Sequence, residues 1–113
     1  MMRIVKVQYI TNTYKVITIG TLTYWMGCTR SHIPPAYMFQ YEDDFFKSDI
    51  SSIADIWPFD KDGITISYNN LFLVFRRRLP PEDTWNGNSE LDMLVLKHGW
   101  LPTDNFYFAE VLE

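Results

Sequence analysis

Residues 3–26, RIVKVQYITNTYKVITIGTLTYWM, decide the fold. Val5, Val7 and Tyr9 alternate with Lys6 and Gln8, the two-residue period of a strand that buries one face. Thr11-Asn12-Thr13 supplies a short polar turn. Tyr14–Met26 then resumes as a longer strand, with Ile17 and Ile19 on one face and Val16, Leu22 and Tyr24 on the other. Gly20 in its middle marks a bulge or a close backbone approach. Two strands joined by so short a turn pair as a hairpin, so an antiparallel sheet organises the molecule.

Working outward, Pro34-Pro35 excludes helix and central strand between Gly27 and Ala36. Tyr37–Lys47 fits two descriptions. Tyr37, Phe39 and Tyr41 alternate as in a strand, while Met38, Tyr41, Phe45 and Phe46 make a helical stripe. Ser48 or Asp49 is placed to cap a short helix carrying Ile50, Ile53, Ala54 and Trp57 on one face, and Pro58 stops it. After the Asp60–Gly63 turn, Ile64, Ile66 and Tyr68 share a strand face. Asn69-Asn70 suits a tight turn, and Leu71–Arg78 is expected to return as the second strand of a hairpin. Pro80–Ser89 reads as a loop. Ser89 and Asp92 form a capping pair for a helix with Leu91, Leu94, Val95 and His98 on one side and Gly99 at its end. Asn105–Leu112 is expected as the last strand. The order β-β-α-β-β-α-β predicts an α+β fold: a largely antiparallel sheet with two short helices packed on one face.

At 113 residues the chain suits a single compact domain spanning 1–113. An aromatic content of 17% with a net charge of -4 excludes disorder, and 5 Gly and 6 Pro without heptads exclude collagen and coiled coil. One cysteine, Cys28, forbids an internal disulfide and points to a reducing, cytoplasmic location. The first ten residues lack a signal-peptide apolar run, and no stretch is long enough to span a bilayer. Neither export by that route nor membrane insertion is expected.

Charge is distributed in blocks. Residues 1–41 carry four cations and no acid, and residues 42–62 carry seven acids against two lysines. Residues 63–81 hold only Arg76, Arg77 and Arg78, and residues 82–113 hold seven acids against Lys97. Bases thus fall on expected strands and acids on helices and loops. Attraction between the layers accounts for this without a partner. An acidic face that steers a basic protein surface accounts for it equally well.

Several local patterns bear on chemistry. Arg76-Arg77-Arg78 is the one basic cluster, and on a strand Arg76 and Arg78 would share a face; with the N-terminal hairpin and its tyrosines it is the candidate for nucleic acid. Asp60-x-Asp62-Gly63 opens like a calcium loop, but Ile64 and Leu71 occupy positions that need oxygen ligands. His32 and His98 lack metal-ligand spacing, and no glycine-rich phosphate loop exists, so neither metal nor cofactor is expected. Cys28 and His32 are the candidates for a small enzyme, without a nucleophile motif around either. Trp85 is the lone apolar side chain of its loop, suited to capping the core or anchoring an interface; Trp25, Trp57 and Trp100 are expected in the core.

The leading expectation is a small non-enzymatic protein-binding domain, an inhibitor or immunity-type factor that blocks a larger enzyme, one acting on nucleic acid for example. Its acidic, aromatic-containing surface would comprise Glu42, Asp43, Asp44, Glu82, Asp83 and Trp85. The partner would be a protein with a basic surface, with homo-oligomerisation left open. The first alternative is a nucleic-acid-binding module using Arg76, Arg77 and Arg78, and the second is an enzyme using Cys28 or His32.

Overall fold

A computed structural model describes residues 2–111. Five strands, β1 (Met2–Ile10), β2 (Val16–Trp25), β3 (Ala36–Tyr41), β4 (Thr65–Tyr68) and β5 (Phe106–Val111), form one sheet. Its order is β4-β3-β2-β1-β5, with every neighbouring pair antiparallel. The short helices α1 (Ile53–Ile56), α2 (Leu73–Arg76) and α3 (Glu90–Leu96), with 3-10 turns at Asp43–Lys47 and Glu82–Thr84, complete an α+β fold. No helix among the described residues is long and apolar enough to cross a membrane.

The alternation in β1 works as expected, and Val5 and Val7 are fully buried. Opposite them Val7 faces Gly20 but Gln8 faces Thr18, so β2 carries one extra residue. This bulge corrects the expected facing of β2. The inserted residue puts Ile17 and Ile19 on the same side as Leu22 and Tyr24, and Ile19 and Leu22 are both fully buried. Gly20 is also a close approach: a Cβ there would lie 2.5 Å from the Phe39 ring.

Tyr37–Tyr41 resolves as strand and the following residues as a 3-10 turn. In β3 the inward side chains Tyr37, Phe39 and Tyr41 are all buried, which a helix over the same residues would not achieve. Phe39 stands at the centre of the core. It stacks on Phe59 at 4.2 Å and meets Tyr41, Trp57 and Phe75 edge-on.

The second hairpin does not form. β4 pairs with β3, and Leu71–Arg78 is not a strand. Asn69 does turn the chain at positive φ, but Leu71, Phe72 and Phe75 then bury together because α2 brings them onto the sheet. Burial outweighs the β-propensity of this segment. Arg76, Arg77 and Arg78 therefore do not alternate across a strand.

The helix expected after Ser48 is shorter than its apolar spacing. Ser48 closes the 3-10 turn by donating to the Phe45 carbonyl at 2.6 Å, and α1 begins at Ile53 without a side-chain cap. α3 has the expected reciprocal capping of Ser89 and Asp92, and Gly99 ends it at φ +60°. The last strand is seen to Val111; its expected end at Leu112 lies outside the described residues, as does Glu113.

Layers of opposite charge are tied by Arg3 on β1, which donates to Glu110 on β5 and Asp92 on α3, each at 2.7 Å. The Arg3 hydrogen bond holds the Glu110 carboxyl below its ordinary value of 4.5. For Asp92 burial is the largest influence and acts upward, but bonds from Arg3 and Ser89 together outweigh it. Depressed carboxyl values contribute stability above the ordinary range, and that contribution is lost as pH falls through the folded values. Arg3→Met is expected to cost about 2 kcal/mol at neutral pH. The gap between wild type and variant should narrow as urea midpoints are followed downward from pH 5.

Candidate functional site

The chain from Glu42 to Trp57 wraps one end of the sheet, and its side chains border two open depressions. The larger lies against β1 and β2, with Lys6, Gln8, Thr18, Glu42, Asp44 and Lys47 in its wall. Its charges are mixed, and Lys6 is paired with Glu42 at 3.2 Å.

The second is an amphipathic groove of about 560 Å³ between α1 and the adjoining ends of β1 and β5. Tyr9, Trp57 and Phe106 form an aromatic wall. Phe106 meets Tyr9 edge-on at 5.5 Å and Trp57 at 5.3 Å. Ile50, Ile53 and Ile56 add an apolar side, and Asp49, Ser52, Asp104 and Asn105 supply polar groups. The three aromatics come together because α1 packs where β1 and β5 pair. Trp57 is held edge-on by Phe39 and Phe75 from below, so the wall rests on the core. Ile56 is 82% exposed at the groove. Asp104, Asn105 and Phe106 also border a smaller depression with Tyr14 and Trp100, so the aromatic surface continues around this end.

The charged residues of the groove's own lining are Asp49 and Asp104, and Asp43 and Asp44 lie outside it. Asp43, Asp44 and Asp49 are exposed and make no ion pair among the described residues. Asp104 is neutralised by Arg78 at 2.5 Å. Tyr41, enclosed among Phe39, Phe45 and Phe59, keeps a buried hydroxyl without a hydrogen-bond partner among the described residues. Burial first, and then Asp55, push its pKa up to about 12, so it stays neutral.

Of the expected partner-binding residues, Glu42, Asp43 and Asp44 follow one another at the 3-10 turn, outside the groove's lining, with Glu42 engaged by Lys6. Glu82, Asp83 and Trp85 lie in the loop before α3 and share no hydrogen bond, ion pair or depression with them among the described residues. Trp85 is half-buried and folds back to donate its indole N–H to the Pro80 carbonyl at 2.9 Å. Trp100 is an exposed wall residue and not a core one.

The arginines have separate fates. Arg76 pairs with Glu90 at 2.8 Å, and Arg78 is nearly buried between Asp104, the Gly99 carbonyl and two phenylalanine rings. Of these three, Arg77 alone is exposed without an ion pair among the described residues. Cys28 and Ile33 bridge a turn containing exposed His32, and no hydrogen bond joins Cys28 to His32. The Ser31 backbone N–H, followed by its hydroxyl, lowers the Cys28 thiol from its ordinary value. Among the described residues no three of His, Cys, Asp and Glu gather as a metal-ligand set.

Tyr9, Asp49, Trp57, Asn105 and Phe106 were not legible as a site. Asp49 suits a helix cap and the aromatics suit a core, and only the packing of distant segments aligns them. Comparison with protein families, with characterised proteins and with solved structures finds no match to this chain.

Proposed function

We propose that the chain is a non-catalytic protein-binding domain of the inhibitor or immunity-factor type, which occludes a larger enzyme through the acidic, aromatic end of its sheet. The supporting observation is the groove walled by Tyr9, Trp57 and Phe106, with exposed Ile56 and the unpaired carboxylate of Asp49 beside it. Aromatic faces and carboxylates together suit lysine and arginine side chains, whose cations favour both while their stems pack on isoleucine. Asp43 and Asp44 extend the negative field and would speed encounter with a basic surface. An enzyme that acts on nucleic acid presents such a surface, because its own substrate is a polyanion. Glu82, Asp83 and Trp85 are a separate feature in this proposal.

Affinity capture from host extract with the wild-type chain, followed by kinetics on the purified partner, tests it. Asp43→Lys combined with Asp44→Lys is expected to slow association roughly tenfold at low salt and flatten its salt dependence. Ile56→Glu is expected to speed dissociation, since truncating or charging a central apolar contact acts on that rate. Unchanged association and dissociation in both variants, with folding retained, would remove this end of the molecule as the binding surface.

A further inference from the structure

The sheet has two edges, and they are finished differently. Ile10 donates to the Asn105 carbonyl, so alternate residues of β5 bond β1 and Phe106 and Phe108 turn their backbone groups outward. Both are met from outside. The Phe108 N–H donates to the His98 carbonyl at 2.8 Å, and His98 Nδ1 lies 3.0 Å from the Phe108 carbonyl. The Phe106 N–H donates to Asp104 at 3.3 Å. The segment after α3 thereby closes this edge.

β4 has no such cover. Asn69 donates to the Pro35 carbonyl at 2.8 Å, so Thr65 and Ser67 also bond β3, and Ile66 and Tyr68 point their N–H groups away from the sheet. A second bond fixes the same alternation independently. Glu42 donates to the Ile19 carbonyl, so the even-numbered residues of β3 bond β2 and leave Tyr37 and Phe39 for β4. Among the described residues the Ile66 N–H and carbonyl and the Tyr68 N–H have no partner, while the Tyr68 carbonyl accepts from Asn70. Charges, prolines and bulges are what ordinarily keep an edge from pairing with its own copies. Thr65–Tyr68 contains no charge and no proline, and its register on β3 is unbroken.

We propose that β4 pairs antiparallel with β4 of a second copy about a two-fold axis through Ile66, joining two five-stranded sheets into one. An edge of unpaired N–H and carbonyl groups accepts an extended backbone, and a two-fold axis sets each outward residue against an outward one. Ile66 then faces its own equivalent and Ile64 faces Tyr68, a β-branched residue against an aromatic one. The same register sets Asp62 against Asn70, so like charges are not opposed. An unrelated strand would find the same hydrogen bonds but not these matches. With four residues β4 offers a small contact, so the dimer is weak.

Sedimentation equilibrium on the full chain, from micromolar to millimolar concentration, reads the outcome together with amide exchange followed by NMR. A dimer is expected in the upper part of the range, with exchange at Ile66 and Tyr68 slowing as it forms. Ile66→Pro deletes the outward N–H without touching a bond to β3, and Ile66→Lys sets like charges together on the axis. Each is expected to raise the dissociation constant roughly tenfold or more. The lysine variant carries the test should the proline unsettle β4. Thr23→Lys, two strands in from the edge, should leave the dimer intact, as should Asp43→Lys with Asp44→Lys. Those controls separate edge pairing from packing through the sheet face and from the groove beside α1. A monomer at millimolar concentration overturns the proposal. So does a dimer that ignores both Ile66 variants, responds to Thr23→Lys, or leaves exchange of the Ile66 amide unchanged.

Discussion

Replacing Arg78 by Met is expected to lower the free energy of unfolding by about 3 kcal/mol, the cost of removing the cation and its hydrogen bonds from a part-buried ion pair. The Arg78 side chain is only 9% exposed. Its Nε donates to the Gly99 carbonyl at 2.8 Å, and a terminal nitrogen donates to Asp104 at 2.5 Å. The guanidinium also lies 5.1 Å and 5.5 Å from the centroids of Phe106 and Phe108. Methionine keeps much of the apolar stem but leaves the Asp104 carboxylate with the Phe106 N–H alone and removes the donor from the Gly99 carbonyl. Domains are stable by only about 5–15 kcal/mol, so the loss is a large share of the total. Urea denaturation at neutral pH measures it. Arg78→Lys should be intermediate, because an ammonium cannot reproduce the planar fork. Adding Asp104→Asn to the Met variant should recover part of the loss by removing the stranded charge. Arg77→Met, at the exposed neighbour, should stay within about 0.5 kcal/mol of wild type. A variant at Arg78 as mild as that would mean that water serves Asp104 as well as the guanidinium does.

The second large effect belongs to Phe39. Phe39→Ala is expected to cost about 3–5 kcal/mol, the transfer free energy of the ring plus the cavity it leaves. The ring touches Tyr41, Trp57, Phe59 and Phe75, and on the sheet side it lies over Gly20. Glycine has no side chain with which to fill a void, so collapse there is limited. The loss should reach the groove as well. Trp57 rests edge-on against Phe39 at 6.1 Å, and releasing it should weaken the near-ultraviolet circular dichroism of the tryptophans. Phe39→Leu should show the same pattern at smaller size, and it remains measurable should the Ala variant fail to fold. Retention of both stability and near-ultraviolet signal in the Leu variant would show that the aromatic wall does not depend on the core beneath it.

The two positions differ in how far sequence led to them. Phe39 belongs to an alternation with Tyr37 and Tyr41, and the competing helical stripe through Phe45 and Phe46 becomes a separate 3-10 turn. Arg78 belonged to a run of three arginines that suggested a nucleic-acid surface. Its burial depends on α2, on Gly99 and on Asp104, and nothing local in the run predicts any of them. For the candidate site the division is similar. Asp43 and Asp44 were legible as exposed acids, because consecutive carboxylates cannot be buried without partners. Glu82 and Asp83 share only their charge with that pair, Trp85 is an aromatic in the same polar loop, and no described contact joins the two sets.

Alternation, turn residues and capping pairs act over a few residues, and they sufficed for the antiparallel hairpin of β1 and β2, for the Ser89 cap of α3 and for the α+β class. The strand order, the helical state of Leu73–Arg76 and the meeting of Tyr9, Trp57 and Phe106 required the folded chain. Local rules say which face of an element is apolar. Which distant element covers that face, or leaves it open as on the outer side of this sheet, follows from the free energy of burying the whole surface at once.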